Sequence, residues 1–265
     1  MTSSLVGSEM CIRDSYNTLK SGLPNAIRVA KEYLEPNGYR LKGVRIDSGD
    51  MAYLSKKIRK ALDEAGMQDC QIVVSNSLDE FLIESLLSQG AQIDSLGVGE
   101  NLVTSKSSPV FGGVYKLCAV IKDGEIIPKI KVSENIEKVT NPGMKNLYRI
   151  YDKESGMALG DIMTLVDETL DPSQDLTIYH QMNYWKNKTI PKGSYELRDL
   201  LVPIFIDGQL VYDCPSLAEI RAYSEKELSH LWDEVKRFTY PQTYYVDLSR
   251  KLLDLKMKML EEVPK

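Results

Sequence analysis

Between Tyr16 and about Leu117 the sequence switches repeatedly between helical and strand periodicity with short links, and this alternation constrains the fold more than any other feature. Leu23-Pro24 opens a helix with proline in its first turn; Ile27, Ala30, Tyr33 and Leu34 share a face, and Pro36-Asn37-Gly38 ends it. Residues 41–47 (LKGVRID) read as a short strand. Asp50 stands where it can cap a second helix, along which Leu54, Ile58, Ala61, Leu62 and Ala65 repeat at helical spacing as far as Gly66. The β-branched run Gln71–Ser75 (QIVVS) reads as a buried strand. Ser77-Leu78-Asp79-Glu80 has capping-box spacing before a third helix through Phe81, Leu82, Leu86 and Leu87 to Gly90. Residues 93–97 form the next strand, leading into Gly97-Val98-Gly99. Such an order with links this short demands parallel strands joined by right-handed crossovers.

Beyond Val120 the character changes. Turn signals at Lys122-Asp123-Gly124, Asn141-Pro142-Gly143 and Glu154-Ser155-Gly156 separate short strands such as 147–151, an antiparallel-rich pattern. Ser216-Leu217-Ala218-Glu219 caps a helix bearing Ile220 and continuing through Leu228, Leu231, Trp232 and Val235. A last helix is expected from about Val246, carrying Leu248, Leu252, Leu255 and Met259. The expected organisation is a leader at 1–15, an alternating α/β unit at 16–118 and an α+β unit at 119–265.

Composition narrows the function. With 43% hydrophobic residues in 265, the chain can bury a sizeable core, and a net charge of −5 offers no basic field for nucleic acid. No apolar run approaches the roughly 18 residues that span a bilayer, and no signal-peptide pattern opens the chain, so a cytoplasmic protein without membrane partners is expected. Cys11, Cys70, Cys118 and Cys214 include no C-x-x-C pair, which argues against a zinc ribbon or a disulfide scaffold. Two histidines, His180 and His230, are too few for a histidine metal cluster, and no metal site is assigned.

In parallel α/β folds, ligands collect at the carboxyl ends of the strands. Here those ends read Arg45-Ile46-Asp47-Ser48-Gly49-Asp50, Ser75-Asn76-Ser77 and Gly97-Val98-Gly99-Glu100-Asn101. A carboxylate, an amide flanked by hydroxyls and a glycine loop suit a sugar phosphate. Asp47 can accept from ribose hydroxyls or hold Mg2+ through water. Arg45, two residues earlier and so on the same strand face, can clamp an anion. Gly97 and Gly99 allow backbone N–H groups to approach a phosphate, with Thr104 or Ser105 adding hydroxyls. Each signal alone has a bland counterpart: D-S-G-D is often a turn and helix cap, and Arg45 and Asp47 can pair with each other. Their coincidence at three successive strand ends favours a site.

Four runs also carry a family resemblance: Tyr16-Asn17-Thr18-Leu19-Lys20-Ser21-Gly22, GVRIDSGDMAYLSKK (43–57), GVGENLVTSKSSPVFGGVYKL (97–117) and FTYPQTYYVDLS (238–249). From Tyr16 to the end the chain resembles nicotinate phosphoribosyltransferase. The resemblance implies a reaction in which nicotinate displaces diphosphate from phosphoribosyl diphosphate, giving nicotinate mononucleotide for NAD biosynthesis, with ATP and Mg2+ as cofactors. It implies a type II phosphoribosyltransferase α/β barrel, of which this chain would carry the C-terminal part, beside an α+β domain, and it leaves room for a homodimer. Arg45 and Asp47, with Ser48 and Gly49 in the same turn, would stand at the nicotinate and ribose end. Ser75 and Asn76 would line the ribose, and the Gly97–Gly99 loop with Thr104 would hold the 5′-phosphate.

The family's phosphorylated histidine belongs upstream of the D-x-Y-x-T run at which the resemblance begins, and neither His180 nor His230 stands in a matching motif. Both histidines are read as structural and no catalytic residue is assigned. Residues 1–15 (MTSSLVGSEMCIRDS) show no clear periodicity and resemble a translated sequencing-adaptor remnant, the alternative being a genuine N-terminal arm. The expectation is therefore a truncated fragment that aggregates or dimerises and performs no transfer by itself. Nicotinamide phosphoribosyltransferase shares the R-x-D-S-G turn and is the nearest rival, ahead of the ATP-independent quinolinate enzyme. A catalytically silent binding or assembly module is the alternative of a different class. G-V-G-x-x-L-V-T-S and the tail fit the nicotinate enzyme better.

Overall fold

The structure, a computed structural model, describes residues 9–12, 17–110 and 112–262, and it falls into two units, Met1–Gly112 and Gly113–Lys265. In the first, β1 (Glu9–Ile12), β2 (Gly43–Ile46), β3 (Gln71–Ser75) and β4 (Ser95–Gly97) lie side by side in chain order, all parallel. Val44 and Ile46 on β2 and Ile72 and Val74 on β3 are fully buried beneath the crossover helices. Those helices are α1 (Leu23–Val29, within a helical run from Thr18 to Asn37), α2 (Met51–Glu64) and α3 (Glu80–Ser88). Asp50 caps α2 by accepting from the Tyr53 amide at 2.9 Å, and Ile58 and Leu62 fill its inner face. Ser55, buried on the same face, accepts from the Gln92 amide at 3.1 Å and so fixes the approach to β4.

The alternation is borne out, but the expected barrel is not. None of the described sheets closes: the parallel sheet has four strands and two open edges, at β1 and β4. Closure requires strand number, tilt and shear to match, and type examples use about eight strands. The stretch 1–15 contributes β1, whose residues pair with β2 from Glu9↔Gly43 to Ile12↔Ile46; residues 1–8 and 13–16 lie outside the described residues. The cap of α3 also differs from the expectation. Ser77 has φ 52, left-handed and unsuited to an N-cap, whereas the extended Asp79 accepts from the Leu82 amide at 2.8 Å.

After the short α4 (Glu100–Val103), the second unit begins with the hairpin of β5 (Ala119–Lys122) and β6 (Glu125–Pro128). Asp123 and Gly124 have φ 52 and 82, the left-handed pair that a two-residue turn needs. A six-stranded mixed sheet follows, built from β7 (Lys145–Asp152), β8 (Ala158–Leu165), β9 (Leu176–Tyr179), β10 (Asn187–Ile190), β11 (Tyr195–Asp199) and a later strand. Another two-residue hairpin, β12 (Phe205–Ile206) with β13 (Gln209–Leu210), precedes α5 (Leu217–Ser229). The sheet is completed by β14 (Val246–Leu248), which enters between β8 and β9 and is parallel to β8, giving the order β10-β9-β14-β8-β7-β11. Last comes α6 (Arg250–Glu261), whose Leu252 and Leu253 pack with Leu248 on one sheet face, while Ile150, Ile162 and Ile178 form the core of the other.

Two helix boundaries depart from periodicity. The Ser216–Glu219 capping box forms as expected, but α5 stops at Ser229. The His230 carbonyl there accepts from the Ala158 amide at 2.8 Å and its Nδ1 meets the Gly156 carbonyl at 2.8 Å, drawing the chain away. The last helix starts at Arg250 rather than Val246, because residues 246–248 satisfy their backbone in the sheet. Its cap, Ser249, is buried; the hydroxyl donates to Glu168 Oε1 at 2.7 Å and accepts from the Leu252 amide at 3.2 Å. Ser249→Ala is expected to lower stability by about 1–2 kcal/mol, read as a shift in the urea midpoint with unchanged slope.

Candidate functional site

At the carboxyl ends of β2, β3 and β4, three side chains close a hydrogen-bonded triangle. Arg45 Nε donates to Ser75 Oγ at 2.7 Å, Ser75 Oγ donates to Asp47 Oδ1 at 2.9 Å, and Arg45 Nη2 donates to Asp47 Oδ2 at 3.2 Å. Arg45 and Asp47 share a face because they are two residues apart at a strand end, and Ser75 reaches them from the neighbouring strand, where Arg45 pairs with Val73. The ion pair is half-exposed, with side-chain accessibilities of 38% and 26%, so it contributes little to stability, under about 1 kcal/mol. Its value is geometric. Arg45 keeps its Nη1 protons without a partner among the described residues, free to meet an anion.

The backbone completes the cavity. Asn76 and Ser77 are consecutive left-handed residues, φ 86 and 52, a strained turn that carries the chain off β3 around the cavity. Gly97 lies so close to Ser75 that a Cβ there would sit 3.2 Å from the serine Cβ, and a larger residue would push β4 away from the triangle. Gly99, with φ −105 and ψ −113, has open space around it. Together these groups line a cavity of about 410 Å³, within the usual range for small-molecule sites.

Of the residues singled out from sequence, Arg45, Asp47, Ser75, Asn76, Gly97 and Gly99 come together around this cavity; Ser48, Gly49 and Thr104 do not line it. Gly49, φ 80, makes the turn into α2, and the Thr104 hydroxyl is spent on the Glu100 carbonyl at 2.7 Å. Sequence reasoning passed over Asn101. Its buried amide donates to the Ser77 and Leu78 carbonyls at 3.1 and 3.0 Å, pinning the strained turn to the segment after the glycine loop, and its Oδ1 has no partner among the described residues. An asparagine directly behind a glycine loop was the available signal.

The comparisons with known proteins bear on this arrangement. The profile of the nicotinate phosphoribosyltransferase C-terminal domain matches residues 144–256. Nicotinate phosphoribosyltransferase of Bacillus subtilis (strain 168) is 44% identical over 252 residues, covering 94% of this chain and 50% of the relative. The chain is homologous to the nicotinate phosphoribosyltransferases. The human nicotinate phosphoribosyltransferase is 36% identical over 255 residues, covering 90% of this chain and 44% of its own length. The crystal structure of human nicotinic acid phosphoribosyltransferase superposes with a TM-score of 0.67 at 30% identity, covering 96% of this chain and 46% of the solved one. The chain thus spans about half the length of the nicotinate phosphoribosyltransferases it matches. No described helix is long and apolar enough to cross a membrane.

Proposed function

We propose that this chain carries the phosphoribosyl-binding part of a nicotinate phosphoribosyltransferase, acting in NAD biosynthesis. The reaction converts nicotinate, phosphoribosyl diphosphate and ATP to nicotinate mononucleotide, diphosphate, ADP and phosphate. The observation that carries the reading is the Arg45–Ser75–Asp47 triangle, which opens on a cavity walled by Gly97 and Gly99 in a chain of this homology.

Displacement at the anomeric carbon builds positive charge on the ribose ring. Asp47, with both oxygens fixed by Ser75 and Arg45, presents negative charge there without reorganising. The spare Arg45 N–H groups clamp an anion, Ser75 and Asn76 line the ribose, and the Gly97–Gly99 loop receives the 5′-phosphate. Thr104, Ser48 and Gly49 lie outside the cavity lining and are given no ligand contact in this reading. The work of such a site is positioning, worth several kcal/mol of barrier.

Among the described residues no cluster of three or more histidine, cysteine or acidic side chains could hold a metal. The cavity nonetheless offers the carboxylates of Asp47 and Glu100, a donor set that fits Mg2+ bound mainly by diphosphate oxygens and water. Bound so, the ion would neutralise leaving-group charge. Neither histidine lines this cavity, so no step of ATP coupling is assigned to these residues.

The test joins this chain to the part of the Bacillus subtilis relative that it does not span and measures turnover with nicotinate, nicotinamide and quinolinate. Transfer to nicotinate at least tenfold above the other two is expected. Equal or better use of nicotinamide or quinolinate would reject the assignment.

A further inference from the structure

The second unit contains a buried carboxylate that its own fold leaves uncompensated. Asp247 on β14 is 8% exposed and has no hydrogen-bond partner among the described residues. Strand pairing fixes its direction. Leu248 sits opposite Tyr179, so Asp247 turns to the other sheet face, the one carrying Ile178 and, at the end of β9, His180. Burial raises the pKa of this carboxyl, and His180 opposes the shift. A carboxylate this buried with no hydrogen bond from the described residues is costly, so a donor from outside the chain would be favoured here.

His180 supplies the complementary group. Its Nδ1 accepts from the Met182 and Asn183 amides at 3.1 and 3.2 Å, which places the neutral ring's proton on Nε2, and Nε2 has no partner among the described residues. Asp247 and His180 form no ion pair with each other among the described residues; each instead faces open space. Two adjoining cavities, of about 330 and 660 Å³, share both residues as a common wall. The larger has an apolar floor at Leu159 and Ile178 and is bordered by Tyr245 and by Trp185, a residue 76% exposed. Lys186 and Lys188 stand two residues apart at β10, both on the His180 face: the Lys186 carbonyl accepts from the His180 amide, and Lys188 pairs with Ile178. Neither lysine is ion-paired among the described residues.

We propose that this cavity is a nucleotide site, separate from the strand-end site of the first unit. It takes a nucleoside monophosphate whose base presents an N–H donor to Asp247 and a neighbouring acceptor to His180 Nε2–H, with the phosphate on Lys186 and Lys188. The donor and acceptor on one edge are what the two unpartnered groups require, the flat ring is what an exposed indole beside an apolar floor accommodates, and the lysine pair selects an anion.

The test is titration of Trp185 fluorescence in the Trp232→Phe chain, which leaves Trp185 as the sole indole. AMP, which carries both edge groups, is expected to quench saturably. Adenosine should bind at least tenfold more weakly. Nicotinate mononucleotide has the same ribose phosphate but turns a carboxylate toward Asp247, and should give no saturable quench. Lys186→Ala with Lys188→Ala, both at exposed positions, should reduce AMP to the affinity of adenosine. Asp247→Leu removes the buried charge without loss of packing volume and should weaken AMP at least tenfold. The proposal is overturned by no quenching with AMP, by equal affinity for nicotinate mononucleotide, or by AMP affinity unchanged in either variant. Loss of AMP quenching in Asp47→Ala would also overturn it, by moving the ligand to the first unit.

Discussion

Replacing Asp47 by alanine is expected to reduce phosphoribosyl transfer by about 10²–10³-fold, some 3–4 kcal/mol of barrier, in the joined chain described above. The substitution removes the fixed negative charge and also frees its two partners: Ser75 loses its acceptor and Arg45 its second anchor, so three groups at two strand ends lose their mutual geometry. Stability should move by less than about 1 kcal/mol, because the pair is half-exposed and the core beneath it does not include these side chains. Asp47→Asn separates the two contributions. It keeps an acceptor for Ser75 while removing the charge, so a loss nearly as large as that of alanine assigns the effect to charge, and a small loss assigns it to positioning. Initial rates with saturating nicotinate measure both. Rates within threefold of the parent for Asp47→Ala would reject the site, whereas failure of the AMP titration would leave it standing.

Much of the first unit was legible because its signals are local. Asp50 caps α2, the β-branched run at Gln71–Ser75 is buried, and the strand ends bring Arg45, Asp47 and Ser75 together as their spacing requires. What escaped depended on distant partners. Periodicity cannot distinguish the start of a helix from a strand when the segment is short and apolar: residues 246–248 continue the helical stripe of Leu252 and Leu255, yet β8 and β9 offer them a ladder. Ser77 does not cap α3 because it lies in a left-handed turn with Asn76, which the Asn101 amide, 24 residues later, holds through the Ser77 carbonyl. The barrel expectation came from resemblance alone, and the described parallel strands do not close into one. Thr104 and Asn101 exchange roles for a similar reason: a hydroxyl on a short helix bonds back to its own turn, while the longer amide reaches across to the neighbouring strand end.

The second large effect is on stability. Asp161→Ala is expected to destabilise the second unit by about 3–5 kcal/mol and lower its melting midpoint by about 10 °C. Asp161 is buried on β8 and receives Arg149 in a two-pronged pair, Nε at 2.9 Å and Nη2 at 3.2 Å, together with the Tyr244 hydroxyl at 2.8 Å. The third nitrogen of Arg149 reaches Glu227 on α5 at 3.0 Å, and Arg198 holds the same carboxylate from β11. Asp161 therefore anchors the guanidinium that ties α5 to the sheet; without it, Arg149 is left with its charge half-matched. Asp161 also helps hold the Tyr244 phenol well above its usual pKa, behind burial as the larger cause, and its hydrogen bond is the main reason the Arg149 pKa is raised. Two readouts follow. Thermal unfolding by circular dichroism should show the early loss of the second unit, and tyrosinate absorbance should show one phenol ionising at lower pH in the variant, because the neighbouring negative charge is gone. The control replaces both partners by apolar residues, Arg149→Met with Asp161→Leu. It removes both members of the pair, while Glu227 keeps Arg198, and is expected to recover at least half of the loss. A single-variant loss below about 1 kcal/mol would show that solvent already screens the network, contrary to its burial here.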